Sequence, residues 1–423
     1  MTDRTVEVTV DRLGAAGDGI ADHDGQRLFV PGALPGERLL VRLGPVRGEG
    51  RSAIPVRRLV EAENRVVPVC RHFGRCGGCA LQHLAAGAYA GWKRALVVEA
   101  LSRRGLADVP VEEALVVPPG DRRRAVFSAV GRKGGVTVGF AEAQSHTVVD
   151  LAECAVIAPA LFRLLAPLKE AFATLLGSGE RGQAVASLTS TGIDLVLEID
   201  RAPDLAARER LAVLAAESDL ARLGWRRPGG TIEILAERRQ VRVAFDGVPA
   251  IFPPGGFLQA SLAGEAALIA DVLAGVGSAK TVLDLYAGIG TFTLPMSRTA
   301  KVTAMEGDAE SVKALSASSA SLGGTVAVER RDLARNPPDA AALDRFDAVV
   351  FDPPRAGARA VAENLARSSV ATAVAVSCNP QTFARDARIL VDGGFRLHRV
   401  RPIDQFLWSS HVELVALFRR EAS

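Results

Sequence analysis

Polar and apolar residues alternate without a break over Thr5-Val6-Glu7-Val8-Thr9-Val10, the period-two pattern of a strand with one buried face. Asp18-Gly19 and Asp24-Gly25 follow, and Asp-Gly is a tight-hairpin signal. Apolar stretches return at Arg27-Leu28-Phe29-Val30 and Arg38-Leu39-Leu40-Val41-Arg42-Leu43. Short strands at this spacing predict a small β-barrel over residues 1–60. The next regular pattern is helical, near 88–104, with Gly105 placed to end it. Strands are predicted near 125–130, 136–140, 193–199 and 241–245, mixed with Ala/Leu-rich helical stretches, so residues 61–250 read as an α+β unit.

From about residue 262 the pattern changes. Apolar runs at 281–285, 301–305, 325–329, 346–351 and 371–376 alternate with helical patterns near 262–275, 308–322, 358–368 and 381–392. A hairpin-like pair at 395–401 and 411–418 follows. Strands alternating with helices predict a doubly wound, mainly parallel α/β sheet in residues 251–423. Helix 88–104 is placed to pack on this last unit.

Composition narrows the class. The chain is 48% hydrophobic and 23% charged, which argues against disorder. No run approaches the roughly 18 apolar residues of a membrane helix, so no membrane span is expected. Residues 1–20 carry Asp3, Asp11 and Asp18 and no apolar stretch, so a secretory leader is not expected and the protein is assigned to the cytoplasm, as a monomer. The five cysteines then read as reduced thiols, ligands or a nucleophile, not as a disulfide scaffold. Residues 1–133 hold 21 Lys and Arg against 15 Asp and Glu, with Arg12, Arg27, Arg38, Arg42, Arg47 and Arg51 spread through the barrel segment. A basic front half suits a polyanion, although a solvated surface would look the same.

Candidate chemistry concentrates at the ends of the C-terminal strands. The first strand runs into Tyr286-Ala287-Gly288-Ile289-Gly290-Thr291. A dinucleotide fingerprint would continue to Gly or Ala at position 293, which is Thr, so a nucleoside without phosphates fits better. Glu306 ends the next strand, where a carboxylate can accept both ribose hydroxyls. Asp332 follows the third strand and could accept from an adenine amino group. A lone Gly-x-Gly is by default a structural turn; with both carboxylates in place, an S-adenosylmethionine pocket is the better reading. Asp352-Pro353-Pro354 ends the fourth strand, where the prolines stop the ladder and fix the carboxylate at the ligand-binding edge. Ser377-Cys378-Asn379-Pro380 places a thiol at a helix N-terminus, where the dipole should favour thiolate. Glu413, opening the last strand, is a candidate general base; His411 is a weaker candidate, or only a brace for its loop.

Together, Phe257-Leu258-Gln259, Leu283 to Gly290, Phe351-Asp352-Pro353-Pro354-Arg355, Ser377-Cys378-Asn379-Pro380 and Asp404 with His411-Val412-Glu413 resemble the bacterial RNA uridine-5-methyltransferases, which make 5-methyluridine. The resemblance covers essentially the whole chain, and residues 5–60 resemble the TRAM RNA-binding barrel, an OB-like fold. It implies a Rossmann-like class I methyltransferase domain at the C-terminus. It also implies Cys378 as the nucleophile, Glu413 as the base, and cofactor contacts at Gln259, Tyr286, Gly288, Thr291, Glu306, Asp332 and Asp352. Ser261 stands where the family has Asn, and Leu407 and Ser410 where it has Pro and Thr.

Cys70, Cys76 and Cys79, with the distant Cys154, are four thiols that could bind zinc or an iron–sulfur cluster or stay unliganded; His72 and His83 nearby favour zinc on spacing alone. The resemblance implies a 4Fe-4S cluster. Phe257 is a candidate stacking partner for an unstacked base, and Arg122 and Arg124 are candidate phosphate contacts; core packing and a solvated strand edge are the bland alternatives. Ribosomal RNA is favoured over the T-loop of tRNA as substrate, from the TRAM barrel plus four cysteines. A non-catalytic RNA-binding or assembly protein would have no use for Cys378 and Glu413.

Overall fold

The computed structural model describes residues 5–420 except Gln144, and the side chain of Arg47 is also left undescribed. Asp3 and the Arg47 side chain, both part of the sequence reading, therefore lie outside the described residues. Strands Thr5–Leu13, Gly19–His23, Gln26–Val30, Arg38–Arg47 and Gly50–Val60 close into a barrel in the order first, second, third, fifth, fourth. Val6, Val8 and Val10 point inward onto Leu28, Val30, Leu39 and Val41, while Thr5, Glu7 and Thr9 are exposed. The alternation in sequence is thus the inside and outside of the barrel wall.

Residues 124–237 build a second sheet of seven strands. Its order is Glu233–Glu237, Leu220–Arg226, Gly192–Glu198, Arg181–Thr189, Arg124–Arg132, Gly135–Ala141 and Val148–Asp150. Helices Leu165–Leu175 and Leu205–Glu217 bury Leu168, Phe172, Leu211 and Leu214 against the inner-face residues Phe127, Leu195 and Leu197.

The third sheet has eight strands in the order Val326–Arg330, Lys301–Glu306, Thr281–Leu285, Ala348–Phe351, Thr372–Ser377, Glu413–Arg420, Phe395–Asp404 and Leu115–Val116. The first five are parallel, and Glu413–Arg420 runs antiparallel to both neighbours. Strand order reverses between Thr281–Leu285 and Ala348–Phe351, the place where open α/β sheets bind ligands. Odd and even strand residues fill two cores. Leu283, Leu285, Val349 and Phe351 face helices Arg359–Arg367 and Pro380–Asp392; Val282, Val302, Val350 and Val374 face helix Leu262–Val276.

Helix Ala86–Ser102 packs on this third unit, through Val97, Ala100 and Leu101. Two departures from the sequence reading concern boundaries. Leu115–Val116 adds an edge strand to the third sheet. Two residues carry no period, so that strand was not foreseen. The hairpin Arg242–Phe245 and Val248–Ile251 puts Val243, Phe245 and Ala250 into the same core as helix Leu262–Val276, so a cut at 250/251 falls inside a packed unit. The Gly-rich turn runs into one helical turn, Thr293–Met296. Among the described residues no helix is long and apolar enough to cross a membrane.

Candidate active site

A cleft of about 1220 Å³ opens at the carboxyl edge of the third sheet. It is lined by the turn after Thr281–Leu285, by Arg124 and Arg226 of the central sheet, and by Arg122 just before that sheet's strand Arg124–Arg132.

The turn is shaped by left-handed backbone at Tyr286 (φ 62°), Gly288 (φ 55°) and Gly290 (φ 97°). Gly290 has a second constraint, since a Cβ there would lie 2.6 Å from Leu315. The Gly288 N–H donates to Glu306 Oε2 at 3.0 Å and the Asp308 N–H to Oε1 at 2.7 Å, so two amides fix this carboxylate in the cleft. Tyr286, Gly288 and Thr291 line the cleft beside it. Asp332 does not: it is exposed, accepts from the Ala334 amide at 3.1 Å, and pairs with Arg335. Beneath the turn, fully buried Asp284 accepts from Thr293 Oγ1 at 2.5 Å, and burial pushes its carboxyl up to about 7. An acid inside an otherwise apolar strand was the signal that could have singled it out.

Cys378, Asp352 and Glu413 line the same cleft. Burial pushes the Cys378 thiol up to about 11; Glu413 and Asp352 add to the rise and Arg355 opposes it. This reverses the expectation of a thiolate. Asn379 caps helix Pro380–Asp392, accepting from the Gln381 amide at 3.0 Å, and the helix field is outweighed by desolvation and two carboxylates. Burial raises Glu413, with Asp352 adding and Arg355 opposing, and burial raises Asp352 against a hydrogen bond from Gln259. The two carboxyls titrate as a pair, and protonation of one favours ionisation of the other. His411 is kept neutral by burial and by Arg355, whose Nη2 lies 3.4 Å from its Nε2, in keeping with a bracing role.

Gln259 reaches Asp352 Oδ2 with its Nε2 at 3.3 Å and accepts from Gln405 Nε2 at 2.8 Å. Gln405 was not singled out as a site residue, because a glutamine is not diagnostic outside this setting. Arg124 lies over the exposed ring of Phe257, 5.6 Å from its centroid, and Arg122 lies at the same distance from Phe406. These four residues form the rim on which a base could stack.

The four remaining cysteines form a separate group. Burial raises the Cys79 thiol to about 12, and Cys154, Cys76 and Cys70 each push it further. Cys154 likewise raises both Cys70 and Cys76. The Cys70 amide donates to Gln82 Oε1 at 3.1 Å. His83 is fully buried with neither ring nitrogen partnered. Among the described residues no group of three or more His, Cys, Asp or Glu side chains is arranged to hold a metal ion.

Known proteins share this architecture. The family model described as tRNA (uracil-5-)-methyltransferase matches residues 269–421, and the TRAM domain model matches residues 1–47. An uncharacterised RNA methyltransferase of Rhizobium meliloti is 43% identical over 98% of this chain and 100% of its own length. The 23S rRNA (uracil(1939)-C(5))-methyltransferase RlmD of Aeromonas salmonicida is 34% identical over 98% of this chain and 96% of its own. The solved structure of Pyrococcus abyssi tRNA (uracil-54, C5)-methyltransferase in complex with S-adenosyl-L-homocysteine shares the fold, with a TM-score of 0.77 at 23% identity over 98% of this chain and 100% of that one. Kinship of this length, over a cleft that gathers a thiol, two carboxyls and a braced glycine turn, means that the chain belongs to the RNA (uracil-5-)-methyltransferase family.

Proposed function

We propose that this enzyme methylates carbon 5 of a uridine in 23S ribosomal RNA, with Cys378 as nucleophile and Glu413 as general base. The observation that carries the reading is the convergence of Cys378, Asp352 and Glu413 beside the glycine turn at the point where strand order reverses. S-adenosylmethionine, when bound, supplies an electrophilic methyl group on a sulfonium. The Cys378 thiol gives up its proton to solvent, the thiolate adds to carbon 6 of the uracil, and the electron pair of the 5,6 double bond makes carbon 5 enolate-like. Carbon 5 takes the methyl group, leaving the former sulfonium as the neutral thioether S-adenosylhomocysteine. Glu413 then removes the carbon-5 proton, the double bond re-forms, and the bond from carbon 6 to sulfur breaks. The base must leave its stack to reach the cleft, and Phe257 with Arg124 and Phe406 with Arg122 are placed to hold its neighbours.

The choice of ribosomal RNA over tRNA rests on the full-length similarity to RlmD. It is tested by mapping 5-methyluridine, by mass spectrometry, in ribosomal RNA and tRNA from a strain lacking this protein. Loss confined to tRNA overturns the choice, and loss from neither overturns the activity. Work in the cytoplasm, as a monomer, belongs to the same reading.

Glu306 is the proposed ribose contact. Glu306→Ala should weaken S-adenosylmethionine binding by about 1–3 kcal/mol, because hydroxyls of the ligand and the Gly288 amide lose their acceptor. Titration calorimetry reads this directly; unchanged affinity would move the ribose site.

The four-thiol group suits a 4Fe-4S cluster held by Cys70, Cys76, Cys79 and Cys154. The chemistry of the donor set fits: burial and neighbouring thiols push Cys70, Cys76 and Cys79 up, and a cationic centre reverses that penalty on forming the thiolates. Protein purified without oxygen should be brown and contain iron, and Cys76→Ser should bleach it. Colourless, zinc-loaded protein would favour the alternative ion.

A further inference from the structure

Helix Ala86–Ser102 carries a buried lysine that none of the steps above uses. Lys93 and Tyr89 lie one turn apart on the same face, and both are almost fully buried, as is Asp404 at the end of strand Phe395–Asp404. Lys93 Nζ lies 2.9 Å from Asp404 Oδ1, and the Tyr89 hydroxyl donates to Asp404 Oδ2 at 2.5 Å. One carboxylate is thus held at both oxygens by a single helix. Lys93 Nζ also donates to the His411 carbonyl, two residues before Glu413.

Between these two anchors sits Trp408, with φ at +59°, a region that a bulky side chain rarely occupies. Its backbone is pinned from two directions. The Trp408 N–H donates to the Tyr89 hydroxyl at 2.7 Å, and its carbonyl accepts from the Ala80 and Leu81 amides at 2.7 and 3.0 Å, directly after Cys79. Strained backbone of this kind persists only where its surroundings over-determine it. Stability alone is a poor explanation for the ion pair, because apolar residues of the same volume usually serve a core as well.

We infer that Tyr89, Lys93 and Asp404 are positioning residues for Glu413. They clamp the loop 405–412 at its entrance, apex and exit, so that the carboxyl at its end meets the carbon-5 proton. None of the three lines the cleft. The inference rests on the assignment of Glu413 as the base. It also gives the cysteine loop a task, since its two amides form the second half of the clamp on Trp408.

The test separates adduct formation from adduct resolution in single turnovers, with RNA and methyl-labelled S-adenosylmethionine. Two variants are compared with wild type and Glu413→Gln: Tyr89→Phe, which removes one hydroxyl, and Lys93→Met with Asp404→Asn, which removes both charges together. Both should form the covalent RNA adduct at a near-normal rate. Both should resolve it about tenfold or more slowly, so that methylated adduct accumulates, because small misplacements near the chemistry cost up to about a hundredfold. Cofactor affinity should not change. Normal resolution in Tyr89→Phe, or a matching loss of both steps with a lowered melting temperature, overturns the inference. Normal resolution in the Glu413→Gln control overturns the assignment of the base instead.

Discussion

Cys378→Ala should reduce methyl transfer to background while S-adenosylmethionine binds nearly as before. The thiol is assigned to attack on the base, and the glycine turn with Glu306 is held by bonds that do not involve it. Wild-type protein should form a stable adduct with RNA containing 5-fluorouridine, because fluorine cannot leave as the proton does; the alanine variant should form none. The rate of adduct formation should also depend on pH. With the thiol pushed up to about 11 by burial and its acidic neighbours, the thiolate fraction grows as pH rises toward that value. Adduct formation should therefore speed up steadily from about pH 6 to pH 9. A flat profile would mean that substrate binding itself delivers the thiolate, and turnover by Cys378→Ala would remove the nucleophile from the mechanism.

Glu413→Gln should stop the reaction one step later. Attack by sulfur and transfer of the methyl group both precede removal of the carbon-5 proton, so neither needs the carboxylate. The amide keeps the shape of a buried side chain that opens strand Glu413–Arg420, but it cannot take up a proton. RNA should remain attached through Cys378, and a denaturing gel should show a shifted band carrying the methyl label. The double variant with Cys378→Ala should not form it. Release of methylated RNA at a normal rate would point to Asp352 or His411, which share the cleft.

The features legible in the sequence were those that local chemistry enforces. Val6, Val8 and Val10 had to alternate because a barrel wall has two sides, and the strand Ala348–Phe351 had to be apolar throughout because helices cover both its faces. The strand-end residues Glu306, Asp352 and Cys378 could be placed because parallel strands deliver their last residues to one edge. What escaped was set by partners far away in the chain. Lys93 meets Asp404 across 311 residues, and nothing near either one announces the other. The protonation of Cys378 was misjudged for the same reason: the helix that follows it is visible locally, while the burial and the carboxyl of Glu413 that outweigh it arrive from other segments. Asp332 took the strand-end position expected of it, yet its side chain turned to the amides of its own turn.

Helix Ala86–Ser102 leaves the ribosome about three hundred residues before Val400 and Val412, with which it shares a core. At about 5–20 residues per second, roughly 15–60 s pass before those partners are made. Through that interval Val97 and Leu101 have only part of their final core, Leu106 and Val111 first among it, and the charged head of Lys93 still lacks Asp404, so the nascent chain must be kept from other polypeptides. The catalytic domain therefore cannot mature by simple succession from front to back. A fragment beginning at residue 251 would lack the helix that seals one face of its sheet, and expression of the last domain by itself should give aggregated material unless residues 86–116 are supplied in trans.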